Sequence, residues 1–522
     1  MIIRKPLGRA HDLYEPLRHP DHPRPRTRRE FIAQGFISGG AAAIVPPAVA
    51  FMLANPRVAD ALSSDINALK AVCNISNGSG MVPFICIDLS GGASTAGSEV
   101  MVGTNTQSDF LPTAGYAKLG IPGNMAPTSS VPGSFVDASC GLLFHSDSAF
   151  MRGMKTRMSA TTAANVNGVM IPALSQNDTA NNVWNPLYHL AKTGVKGSLL
   201  TLAGTSNSPS GGNSVAMMSM IDPAVAPTKI SSRTDLLGLA PGGTGTALFT
   251  GPTAQVDMVN VIEATERLSK MKLDAINTEL GAGDAAAKQQ VQCNYVKPVN
   301  TAEIFSGPTA LDTSLDVNIT GTPTSIFTTA EMAQGDFAKT AAMMKLVVNG
   351  FGGASVIQLG GYDYHNGNRT DGEGRNFNAG VVMGACLEYA ARVGQPLMLQ
   401  VFSDGSLSSS SMVDNSTGGR GKLAWQNDNQ GTASTFFLVY SPKGRPTLMG
   451  ADKQQLGRFK MDGNVDAAGS PGANAVNLAV EMVVMNYLGL HGRQGEMPTI
   501  FPTTTFGSTA AIDKYTSFAP IV

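Results

Sequence analysis

An α/β fold, with a doubly wound and mostly parallel sheet, helices on both faces and long loop insertions, is predicted by three observations. Short apolar runs rich in β-branched residues alternate with segments of helical period, the rhythm of βαβ units with right-handed crossovers. Three of those runs lead to a carboxylate with small residues close by: Val82 to Ile87 leads to Asp88, Ala354 to Leu359 through a glycine pair to Asp363, and Leu397 to Phe402 to Asp404. Spans dominated by Gly, Ser, Thr, Asn and Pro separate the regular elements at about 91–135 and 204–255.

At 522 residues, the chain is long enough for one large domain with insertions. Only 14% of its residues are charged, against about 25% in an average soluble protein. The net charge of −1 offers no basic face for nucleic acid. A composition so rich in Gly, Ala, Ser, Thr and Asn fits a protein that works outside the cytoplasm, in the periplasm or beyond the cell.

The N-terminus points the same way. Thr27-Arg28-Arg29-Glu30-Phe31-Ile32 matches the twin-arginine export motif, with Arg28, Arg29 and Phe31 as its signature residues. A weakly apolar stretch from Ala33 to Ala54 follows, and Ala59-Asp60-Ala61 supplies a small-x-small cleavage site, so residues 1–61 are expected to be a signal peptide and 62–522 the mature domain. The translocase that recognises the motif is the one partner this region names. Of five cysteines, none forms C-x-x-C, and the odd number leaves at least one unpaired in an oxidising compartment. Cys86 lies in a strand and Cys386 on an apolar helical stripe, as core residues do.

Taken in order, the first strand precedes a Gly-rich connection, then a segment of mixed helical character around Leu142 to Met158. A short helix is expected over Asn185 to Gly194 and a strand over Gly197 to Ala203. Val256 to Leu280 is amphipathic, with Met258, Val261, Leu268, Met271 and Ala275 on the stripe predicted to be buried. Pro298 to Thr324 is expected to be a loop. Thr328 and Glu331 form a capping box ahead of a helix that buries Phe337, Ala341, Met344 and Val348 and stops at Gly350. That helix feeds the Ala354 strand. A second, from about Arg375 to Val393, returns to the Leu397 strand, another strand spans Ser434 to Tyr440, and a last helix runs from Val476 to Gly489.

In open parallel sheets ligands bind beyond the C-terminal ends of the strands. Asp88, Asp363, His365 and Asp404 fall there, and Asp428 sits after a loop and ahead of the next strand. Hard oxygen donors with one imidazole suit a divalent cation that activates water or clamps an anionic ester. Asp371 and Glu373 are expected at a solvated helix start. Gly242-Gly243-Thr244-Gly245-Thr246 lacks the lysine and preceding strand of a phosphate loop, and no G-x-S-x-G elbow occurs.

From about Thr328 to Tyr440 the order of motifs resembles a twin-arginine-exported bacterial family of unknown function within the alkaline phosphatase and sulfatase superfamily. Gly360-Gly361-Tyr362-Asp363-Tyr364-His365 is similar to that family's G-G-W-D-T-H, and Ser403-Asp404-Gly405 partly matches S-E-F-G or S-D-H-G. Asp428-Asn429-Gln430-Gly431 stands where the family has D-H-G. The resemblance implies an alkaline-phosphatase-like core and a metal site drawn from Asp88, Asp363, His365, Asp404, Asp428 and Asn429. Asn429 replaces the last metal histidine, no histidine follows Asp404, and no C-x-P-S-R nucleophile motif is present; Ser94, Thr95 and Ser98 are nucleophile candidates by location alone. An amide oxygen suits calcium, magnesium or manganese better than zinc. The expectation is therefore a degenerate metal site in a binding or envelope-associated protein. The alternative is a metal-dependent phosphate or sulfate ester hydrolase acting on a small anionic ester.

Overall fold

Strand pairing in the computed structural model, which describes residues 63–73, 79–127, 134–175, 184–239, 254–278, 280–305, 310–321 and 324–522, assembles one seven-stranded sheet. The leader, with Arg28, Arg29, Phe31 and the 59–61 cleavage site, lies outside these residues. In chain order the strands are β1 (Phe84–Gly91), β2 (Val166–Pro172), β3 (Leu200–Gly204), β4 (Thr228–Lys229), β5 (Gly352–Tyr362), β6 (Leu397–Ser403) and β7 (Ser434–Tyr440). They lie side by side as β2, β7, β6, β1, β5, β3, β4. β1 is central and parallel to both β5 and β6, whereas β7 runs antiparallel to β6 and β2. The fold is α/β with a mixed sheet, its parallel strands predominating.

Because successive side chains in a strand point to opposite faces, each strand contributes to two cores. On one face Ile85, Ile87, Leu89, Ile357, Leu359, Leu399 and Val401 pack against α2 (Ala149–Lys155), α6 (Gly335–Val348) and α7 (Thr370–Val393). On the other, Phe84, Cys86, Val356, Met398, Phe402 and Phe437 meet α3 (Leu187–Lys192) and α8 (Val476–Gly489). Both faces are thus covered by helices, which is why the strands are predominantly apolar rather than alternating. Cys86 and Cys386 are buried core thiols, as their patterns predicted.

Several local expectations hold. The Thr328–Glu331 capping box is present, Phe337, Ala341, Met344 and Val348 are buried, and Gly350 ends α6 with φ of 73°. Others need correcting. α7 starts at Thr370, five residues earlier than its apolar stripe suggests, because its first turns are polar. Pro298 lies inside a helix, α5 (Asp284–Phe305), rather than opening a loop. In the 204–255 insertion, expected as loop, Thr228–Lys229 joins the sheet edge beside β3. Asp428 closes a strand, Lys422–Asp428, paired antiparallel with Leu407–Asp414 in a hairpin that follows β6.

The amphipathic segment α4 (Ala254–Ala275) is turned the other way from its apolar pattern. Val261, Leu268 and Met271 are exposed, whereas Glu263 and Glu266 are buried. Helical period reveals that two faces differ, but not which one the rest of the chain covers. Here α4 packs through Val259 and Ile262 onto Ile66, Val296 and Val299. Its inward carboxylates are satisfied by Ser63 and Gln292.

A disulfide, Cys73–Cys293, ties the end of α1 (Ser64–Val72) to α5 across 220 residues of sequence. Among the described residues, three fully buried apolar side chains stand at its centre, and this helical unit relies on the crosslink. Cys293→Ser is expected to destabilise it by about 2–4 kcal/mol, seen as faster tryptic cleavage within Ser64–Val72; unchanged cleavage would show that packing alone holds the helix.

Candidate functional site

Asp363 and His365 follow the end of β5 with Tyr364 between them. In extended chain, residues i and i+2 share a side, and Tyr364 is the residue turned inward. It is buried, its hydroxyl donating to Asn376 Oδ1 at 3.1 Å and accepting the Ser94 N–H at 3.1 Å. That anchor leaves Asp363 and His365 facing solvent together. Gly91, at φ of 129°, allows β1 to pass close by: a Cβ there would stand 2.3 Å from the Asp363 nitrogen.

Asp428 completes the group. His365 Nε2 is 2.8 Å from Asp363 Oδ1 and 3.6 Å from Asp428 Oδ1, and one donor atom from each residue falls within 4.8 Å of the others. One imidazole and two carboxylates, partly exposed, form a three-point donor set with open positions for water or ligand. Asn429 is not part of it, since its amide oxygen accepts the Gly431 N–H at 3.0 Å and caps the short helical turn that follows.

Asp88 and Asp404 lie outside the trio as a second, fully buried carboxylate pair. Asp88 is in the body of β1, on the face opposite Ile87, and accepts the backbone N–H groups of Asn213 and Ser214 at 2.7 and 2.9 Å on Oδ2. The Asn213 amide and Ser214 hydroxyl donate to the Asp404 carboxylate, so one loop clamps both acids. Asn213 and Ser214 were invisible to sequence reasoning. Their only local mark is the Ser208 to Ser214 run, whose Gly212 lets the backbone approach: a Cβ there would lie 2.7 Å from Asp88 Oδ2.

Burial, reinforced by the neighbouring Asp404, pushes the Asp88 carboxyl up to about 7 from 3.8. A carboxyl whose folded value exceeds its unfolded one contributes stability that is complete below about 4 and is lost as pH rises through about 7. Unfolding free energy from urea titrations should therefore fall over that interval more steeply in the wild type than in Asp88→Asn. Parallel profiles would mean that Asp88 is ionised throughout.

The nucleophile candidates are inaccessible. Ser94, Thr95 and Ser98 are all buried, and the Thr95 hydroxyl is shared with Ser434. Glu373 is not at a solvated helix start either. It is buried among Arg369, Lys422 and Arg152, whereas Asp371 is exposed as expected and held below the usual carboxylate range by the amides of Asn366 and Asn368. Beside the trio opens a cleft of about 620 Å³ lined by Gly361, Asp363 and the first turns of α7.

No family model, curated protein or solved structure matches the chain. Among the described residues no helix is long and apolar enough to cross a membrane.

Proposed function

We propose that this is an exported binding protein with an alkaline-phosphatase-like core, whose Asp363, His365 and Asp428 hold one divalent cation. The observation that carries the reading is the convergence of those three side chains, from two separate parts of the chain, at the C-terminal edge of a mainly parallel sheet. The likeness of the Gly360 to His365 segment to the family motif supports the core assignment. A disulfide suits the oxidising compartment to which a twin-arginine signal would deliver the protein, with the translocase as its partner in export and an envelope component as its partner afterwards.

Binding is favoured over ester hydrolysis for two reasons. A second cation beside the first would need Asp88 and Asp404, but the Asn213–Ser214 segment already donates to both. No hydroxyl among Ser94, Thr95 and Ser98 reaches solvent to attack a substrate. With Asn429 turned toward Gly431, the donor set is one nitrogen and two carboxylate oxygens, a combination that suits manganese while still accepting magnesium or calcium. Elemental analysis of the exported protein, paired with assays on generic phosphate and sulfate esters, tests this. One bound divalent ion without turnover is the expected result. Turnover that depends on Asp363 would replace the binding reading with the hydrolase one, and a metal-free protein would remove both.

A further inference from the structure

Most small-molecule clefts of several hundred Å³ have apolar walls with a few polar anchors. The cleft beside the trio does not. Asn366, Thr370, Asp371, Arg375 and Asn378 face it, interrupted by Gly361 and Gly374; among the described residues Tyr364 is the one aromatic in its lining and no aliphatic side chain joins it. Thr370, Asp371, Gly374, Arg375 and Asn378 recur every three to four residues along the start of α7, so one polar helix face makes the wall.

The pattern of charges narrows the ligand. Arg375 is exposed, carries five N–H donors and lines the same cleft as Asp371 and Asp363, which only accept when ionised. A phosphate or sulfate would satisfy Arg375 but face both carboxylates. A hydroxyl group donates and accepts, and so satisfies both kinds of wall. Asn366 and Asn368 hold the Asp371 carboxylate at 2.6 and 3.2 Å, fixing one acceptor in advance of binding. A cation on Asp363, His365 and Asp428 would leave coordination positions that two adjacent hydroxyl oxygens can fill.

We propose that the cleft binds a saccharide, with neighbouring hydroxyls on the cation and further hydroxyls on Asp371 and Arg375. The inference rests on the cation reading and adds the class of ligand to it.

Gly374 makes the test selective. An added Cβ there meets nothing within 4 Å, so a larger side chain sets out into open space at the cleft wall. Within a helix, Leu is also better tolerated than Gly. The full exported chain, loaded with manganese, is probed on an array of neutral and uronate-containing oligosaccharides, and the affinity of any bound member is measured by calorimetry. Binding should weaken at least tenfold in Gly374→Leu and in a chelator, while Gly374→Leu retains manganese. Arg375→Ala, at an exposed position, should weaken it independently should Gly374→Leu misfold. Manganese bound with no saccharide recognised, saccharide binding indifferent to both variants, or preferential binding of inorganic phosphate would each overturn the ligand class alone. A chain that binds none of manganese, magnesium and calcium overturns the cation reading and this inference together.

Discussion

His365→Ala is expected to lower manganese affinity by roughly 100-fold or more, and Asp363→Ala to do the same. Changes merely to groups that orient a ligand cost about 10–100-fold, so loss of a ligand should reach the upper end or beyond. The trio has one nitrogen and two carboxylates, and removing any of them leaves two donors. Asp428→Ala should follow the same pattern although it lies more than 60 residues away in sequence, because its carboxylate oxygen is 3.6 Å from His365 Nε2. Titration calorimetry on the three variants decides the matter. Asn429→Ala is the informative control: its amide caps a turn, so its affinity should stay near the wild-type value. If Asn429→Ala loses the ion while Asp428→Ala keeps it, the donor set is wrong. The variants should fold normally, because all three side chains are at least partly exposed and none belongs to either core.

The largest loss of stability should come from Glu373→Gln, at about 3–5 kcal/mol, the range for breaking a buried ion pair by removing one partner. Glu373 accepts from Arg369 Nε at 2.9 Å and from Lys422 Nζ at 2.8 Å, and it also pairs with Arg152. Arg369 and Lys422 are fully buried. Burial alone would raise the Glu373 carboxyl, but Arg369 and Lys422 outweigh that and hold it low. Without the carboxylate, buried Arg369, stacked 4.4 Å from the Trp425 ring centroid, loses its ion-pair partner, and Lys422 is left with Asp147 at 3.3 Å. The nearby Glu99 cannot take its place. It is already committed to Ser148, the Phe150 N–H and Asn376, and burial together with Glu373 pushes its carboxyl up. A loss below about 1 kcal/mol in urea unfolding would place the network among exposed ion pairs in energetic terms. Lys422 begins the strand that ends at Asp428, so Glu373→Gln should also loosen the cation site, to a smaller extent than loss of a ligand.

Much of the sheet was legible because its strands are short, apolar and bounded by breakers. Ser434 to Tyr440 has its expected bounds for that reason, whereas the helix Val476 to Gly489 was legible from its three- and four-residue apolar spacing and the glycine that stops it. β2 was missed: Val166–Pro172 carries Asn167, Gly168 and Pro172, and its strand character comes from pairing with β7. The direction of β7 was equally out of reach, since an apolar run has the same pattern whichever way it lies. Within the site, Asp363 and His365 could be paired from their spacing, because extended chain puts alternate residues on one side. That Asp428 joins them, while Asp88 and Asp404 turn to Asn213 and Ser214, depends on which loops fold back over the sheet edge.

By itself, then, the sequence determined the alternation of helices and strands, the two-sided core and the placing of Asp363 and Asp404 just past strand ends, though not Asp88, which lies within β1. Those are consequences of local period and of burial, which each segment carries within itself. Tertiary structure alone decided which of α4's faces meets water, that Glu373 is an internal counter-ion rather than a surface charge, and how the acids divide between an open trio and a sealed pair. A side chain's surroundings are made by segments hundreds of residues away, and the free energy of a charge depends chiefly on those surroundings.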